Sequence, residues 1–240
     1  MRTVVIALLL LIMVSCAEFT IPTSFPTSIP TGSKPLTTAE ITEGLKEALK
    51  VGAKNSTGLA SQTDGFFKNP QLFIPFPSEA EKVKNTLIKA GFTKQVDEFT
   101  LTLNRAAEKA TEKALPIFVD AITSMTISDA LGILKGEDNA ATEYLKRTTS
   151  SQLQTAFKPI ARDAINKVNL TSYWEPLATN YNRITILTGG KAVNPNLEDY
   201  VTQKAIDGLF LLIAKEEKSI RENPAARVTD ILKRVFANTK

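Results

Sequence analysis

The chain contains no histidine, and that absence decides most of what its chemistry can be. Histidine titrates near neutrality and is the commonest metal ligand, so Ser-His-Asp and zinc-hydrolase arrangements are excluded. The only cysteine, Cys16, lies close to the N-terminus and leaves the body of the chain without a thiol nucleophile. The patterns G-x-S-x-G, S-x-x-K, G-x-x-x-x-G-K and G-x-G-x-x-G are all lacking. What remains is carboxylate chemistry of the glycosidase kind, which requires only two placed acids. With 25 Asp and Glu residues, no spacing singles out a pair. No catalytic residue, cofactor or metal is therefore assigned, and a carboxylate-dependent hydrolase stands as the alternative to a binding protein.

Two polar features stand out against this background. Glu137 and Asp138 fall in a turn between two expected short helices, where backbone N–H groups are left free. Arg147 and Thr148 open a hydroxyl-rich cluster, Thr148-Thr149-Ser150-Ser151, and Lys158 and Arg162 follow one helical turn apart. If the chain folds back at the hydroxyl cluster, these residues form a cationic, hydroxyl-lined pocket for an anionic headgroup or glycan. The plainer reading is that Thr149 or Ser150 caps the next helix and the basic residues face water. A calcium site at Asp129, Glu137, Asp138 and Glu143 lacks the alternating ligand spacing of a calcium loop, and capping explains these acids better. The second feature is Asp207, a carboxylate inside an apolar helix, expected to be buried with a Lys or Arg partner.

That helix, residues 197–221, is the element around which the fold is expected to be built. Its middle, Ala205-Ile206-Asp207-Gly208-Leu209-Phe210-Leu211-Leu212-Ile213-Ala214, is apolar apart from Asp207, so the helix reads as buried on all sides. Ahead of it, Thr37-Thr38-Ala39-Glu40 has the spacing of a capping box and starts the folded domain. Residues 66–77 carry Pro70, Pro75 and Pro77 among six large apolar residues, which predicts an extended segment over the core, or else an exposed docking strip. Amphipathic helices follow with visible stops at Gly91 and Gly136, an interruption at Pro116 and a kink at Pro159, and Ser128 is an expected cap. Residues 184–196, around Gly189-Gly190, predict a second short extended or loop segment. Asn223-Pro224 begins a last helix. The expected class is all-α, a single multi-helix domain over 37–240.

The N-terminus gives an address. Met1-Arg2-Thr3 and the apolar run Val4 to Val14 have the form of a secretory signal over 1–15. Met13-Val14-Ser15-Cys16-Ala17 resembles a bacterial lipobox, which would make Cys16 the lipidated first residue of the mature chain; simple cleavage before Glu18 is the alternative. Residues 16–36 contain the repeat Ile21-Pro22-Thr23-Ser24, Phe25-Pro26-Thr27-Ser28, Ile29-Pro30-Thr31-Gly32, an extended tether reaching roughly 60 Å at about 3.1 Å per residue. The expected location is the cell envelope, lipid-anchored at the periplasmic face of the outer membrane, or else soluble in the periplasm or secreted. A net charge of +4, spread along the chain, does not make the concentrated basic face that nucleic acid requires.

Five segments in order, Phe118-Val119-Asp120-Ala121-Ile122, Gly136-Glu137-Asp138-Asn139-Ala140-Ala141-Thr142-Glu143-Tyr144, Phe157-Lys158-Pro159-Ile160, Asp199-Tyr200-Val201-Thr202-Gln203-Lys204-Ala205 and Asn223-Pro224-Ala225-Ala226-Arg227, resemble the exported bacterial family catalogued as domain of unknown function 4197. The likeness covers roughly residues 37 to 237. It implies a helical periplasmic domain, often behind a lipoprotein signal, with no established activity or site residues. Together these readings predict an envelope lipoprotein that binds an envelope protein or an apolar or anionic ligand without catalysis.

Overall fold

Thr37 and Glu40 start the fold as a capping box. The Thr37 hydroxyl accepts from the Glu40 amide at 3.2 Å, and the Glu40 carboxylate accepts from the Thr37 amide at 2.8 Å. The computed structural model describes residues 36–78, 81–89, 91–167 and 196–223, with a few single positions elsewhere. Seven helices are defined among the described residues: α1 Thr38–Ser61, α2 Glu81–Lys89, α3 Thr93–Thr111, α4 Ala114–Thr123, α5 Ile127–Lys135, α6 Ala140–Asn166 and α7 Leu197–Glu222. None of the described residues is in a strand, and the domain is all-α. No single one of these helices is long and apolar enough to cross a bilayer. The expected signal, Cys16, the tether, most of 184–196 and the last helix lie outside the described residues.

Local sequence explains most of the boundaries. Pro116 falls in the first turn of α4, where its missing N–H would have had no helical partner. α5 is capped by Thr126 and Asp129, not by Ser128 as expected. The Thr126 hydroxyl accepts from the Asp129 amide at 3.1 Å, and the Asp129 carboxylate accepts back from the Thr126 amide and hydroxyl. Ser128 is one residue inside the helix that it was expected to start.

α7 packs against α6, α1 and α3, with Val201, Ala205 and Leu209 fully buried at the centre of the molecule. Gly208 lets the core approach closely, since a Cβ there would stand 2.9 Å from the Phe66 ring. The helix is not buried on all sides, however. Gln203, Lys204, Asp207, Leu211 and Lys215 form an exposed stripe at helical spacing, with Leu211 40% exposed. Three neighbours cover three sides of a helix and leave the fourth to water. Asp207 lies on that stripe, where its carboxylate accepts from the Gln203 amide group at 2.8 Å. It is thus an exposed surface acid, and the expectation of a buried one is corrected.

Residues 66–77 cover the core and do not form an exposed strip, but they are not extended throughout: turns shape 66–72, where the Leu72 and Phe73 amides donate to the Asn69 carbonyl, and the chain extends only beyond them. From Leu72 onward burial alternates: Leu72, Ile74 and Phe76 point inward, while Phe73 and Pro75 face out. Asn104 of α3 holds the segment as a neighbouring strand would, with its amide group donating to the Ile74 carbonyl and accepting from the Ile74 amide, both at 2.8 Å. One turn further on, buried Glu108 accepts from the Phe66 and Phe67 amides at 3.1 Å. Phe76 then packs edge-on to Trp174 and against Phe99.

Candidate functional site

An open cleft of about 380 Å³ lies between α5 and α6. α5 contributes Ser128, Asp129, Gly132 and Ile133, and α6 contributes Glu143, Tyr144 and Arg147. Its volume falls at the lower end of the range of about 300–1,000 Å³ usual for small-molecule sites.

An ion pair lies behind the cleft. Asn139, the residue at the N-cap position of α6, makes no capping hydrogen bond with its side chain. Glu217 of α7 does that work from a distance, accepting from the Ala141 amide at 3.0 Å and from the Thr142 amide and hydroxyl at 2.8 and 2.7 Å. Its neighbour one turn on, Arg221, donates to Glu217 at 2.8 Å and to the Ile133 carbonyl at 3.0 Å, near the end of α5. A carboxylate therefore meets the positive end of α6 and a guanidinium the negative end of α5, each placed as the helix dipoles favour. This pair links the facing ends of the two helices to α7, while α5 packs on α1 and α6. Sequence inspection did not find it. The available signal was Glu217 occupying an apolar row of α7 between Ile213 and Ile220.

Within the cleft, the Arg147 guanidinium rests over the Tyr144 ring at 5.7 Å. The Tyr144 hydroxyl donates to the Ala121 carbonyl at 3.3 Å, and burial, followed by the nearby Asp129 charge, raises its pKa. Asp129 is held below its ordinary value, first by the Thr126 hydroxyl and amide, with Arg147 adding a smaller electrostatic pull.

Of the residues singled out from sequence, Arg147 lines this cleft, and Glu137 and Asp138 lie exposed in the turn that joins its two helices. Thr148 is spent on its own helix, donating to the Tyr144 carbonyl at 2.9 Å. Lys158 and Arg162 are elsewhere. The expected fold-back at 148–151 does not occur, because α6 runs unbroken from Ala140 to Asn166. The Thr149 and Ser150 hydroxyls bond to carbonyls one turn back, both at 2.6 Å, and do not cap a new helix. Eleven residues of continuous helix put Lys158 roughly 16 Å along the axis from Arg147. There Lys158 pairs with Asp199 at 2.7 Å, and Arg162 pairs with Glu198 through its Nε at 2.5 Å, both on α7. These two cations tie helices together, and the expectation that they share a pocket with Arg147 is corrected. The four acids weighed for calcium do not assemble either: among the described residues no group of three or more His, Cys, Asp or Glu is placed to hold a metal.

A family model matches residues 35–237, almost the whole of the folded region. The chain belongs to the DUF4197 family of proteins of unknown function. No curated protein and no solved structure matches it. The cleft of this DUF4197 domain is consequently read from its own residues. Glu137, Asp138, Glu143 and Tyr144 fall in one of the segments that carry the resemblance to the family.

Proposed function

We propose that this DUF4197 protein is a cell-envelope lipoprotein, anchored through Cys16, whose helical domain binds a small ligand in the α5–α6 cleft without transforming it. The observation that carries the binding site is Arg147. It lines the cleft, stacks on Tyr144, and makes no hydrogen bond or ion pair with any described residue, whereas Lys158 and Arg162 are neutralised by α7. An arginine preorganised on an aromatic face suits an acidic group of a ligand. The envelope assignment is supported by the signal-like run Val4 to Val14, the lipobox-like Ser15-Cys16 and the proline-rich tether.

Asp129 is unsuited to be the general acid of a hydrolase. A general acid needs a carboxyl whose pKa is raised; the Thr126 hydroxyl and amide lower that of Asp129. Two experiments test the two halves of the reading. Cys16→Ser should move the protein from the membrane to the soluble fraction, and retention of that variant at the membrane overturns the anchor. Arg147→Ala should leave the melting temperature within about 1 °C, because an exposed side chain contributes little to stability, while a strain carrying it should lose the phenotype that the native gene restores. Full rescue by Arg147→Ala overturns the site.

A further inference from the structure

The α5–α6 cleft carries both signs of charge. Asp129 and Glu143 are its acids and Arg147 its base. A purely anionic ligand reaching Arg147 would meet two carboxylates, and a purely cationic one would meet the guanidinium. Only a ligand with an anionic and a cationic centre a few ångströms apart complements all three.

The side chains are also poised for such a ligand. Glu143 and Arg147 lie four residues apart on α6, a spacing at which acid and base usually pair along a helix. Here they do not pair, and neither side chain has a hydrogen-bond or ion-pair partner among the described residues. Arg147 turns instead to the Tyr144 ring. The opposite wall adds a separate observation. Gly132 stands in the middle of α5, exposed, and a Cβ there would meet nothing within 4 Å. Glycine weakens a helix interior, and no packed neighbour requires it here. It keeps the centre of the cleft wall down to bare backbone, where a ligand can approach closely.

We propose, building on the binding role above, that the cleft takes a zwitterion, a free amino acid or a short peptide, with its carboxylate on Arg147 and its ammonium between Glu143 and Asp129. The apolar side chain of Ile133 and the open backbone at Gly132 then face the ligand's side chain.

The test is calorimetric titration of the full-length protein with free amino acids and with dialanine, N-acetyl-dialanine and dialanine amide. The free dipeptide or at least one amino acid should bind, and blocking either end should weaken the dipeptide tenfold or more. Glu143→Gln should abolish discrimination against the acetylated form, and Arg147→Gln discrimination against the amide. Gly132→Leu should abolish binding while its melting temperature is kept or raised, so loss of fold is not the explanation. If citrate binds through Arg147 while amino acids and dipeptides give no heat, the zwitterion is overturned and the anion-binding role survives. Equal affinity for free and blocked peptides, or native affinity in Gly132→Leu, also overturns the inference. Absence of binding by all of these probes overturns both it and the proposed site.

Discussion

Glu217 sits where helical periodicity calls for an apolar side chain, and five hydrogen bonds make it acceptable there. Two come from amides, one from a hydroxyl and two from Arg221. Removing one partner of a buried pair leaves the other charged and poorly solvated, which typically costs about 3–5 kcal/mol. In Glu217→Ala, α6 also loses its carboxylate cap. The expected result is a fall of about 3 kcal/mol or more in unfolding free energy, measured by urea denaturation. Glu217→Gln retains an acceptor and should lose roughly half as much. A loss under about 1 kcal/mol in Glu217→Ala would show that the pair does not hold α5 and α6.

At the level of elements, α7 gives the clearest contrast. Leu209 and Leu211 are two residues apart in a run of similar composition, yet Leu209 is fully buried and Leu211 is 40% exposed. Leu209→Asp places an uncompensated carboxylate in the core and should abolish the cooperative thermal transition, since its penalty of several kcal/mol rivals a typical domain stability of about 5–15 kcal/mol. Leu211→Asp should change stability by only about 0.5 kcal/mol. Circular dichroism melts of the two variants decide the matter, and equal damage from both would contradict the exposed stripe.

Across the whole molecule, ion pairs join segments distant in sequence, and they make stability depend on acidity. Glu198 of α7 has its pKa lowered from 4.5, chiefly by the Arg162 guanidinium of α6. Lys68 and Arg105 lower that of Asp64, and Arg105 in turn bridges Asp64 to Glu108 under the 66–77 segment. A carboxylate whose pKa falls on folding contributes stability that is fully present above its unfolded pKa and is lost as the pH drops through the folded value. The protein should therefore lose stability progressively below about pH 4.5, in urea midpoints measured against pH. Glu198→Gln should flatten part of that acid limb and leave its slope near neutrality unchanged. An acid limb identical to that of the native protein would remove Glu198 from the account.

What the sequence determined alone is what depends on neighbours along the chain. The Thr37–Glu40 capping box, the glycine stop after α5, the apolar faces of α1, α3 and α6 and the all-α class are set within one or two helical turns, where spacing and residue type carry the information. The prolines and aromatics of 66–77 likewise specified a non-helical, buried segment before any partner was known, though not the turns that shape 66–72. Only the tertiary structure decided which groups from distant segments meet. Asn104 and Glu108 satisfy that segment's backbone from α3, and Glu217 caps a helix that begins 77 residues earlier in the chain. The all-round apolar middle of α7 could not reveal which side would face water, because that depends on the three helices that happen to surround it. The same limit applied to the site. Arg147 was legible as a candidate, but its separation from Lys158 and Arg162 rested on the continuity of α6, whose hydroxyls bond to their own helix as readily as they would cap a new one. Glu217 and Arg221 reach across to the two helix ends that flank the cleft, a contact between segments that no local spacing encodes.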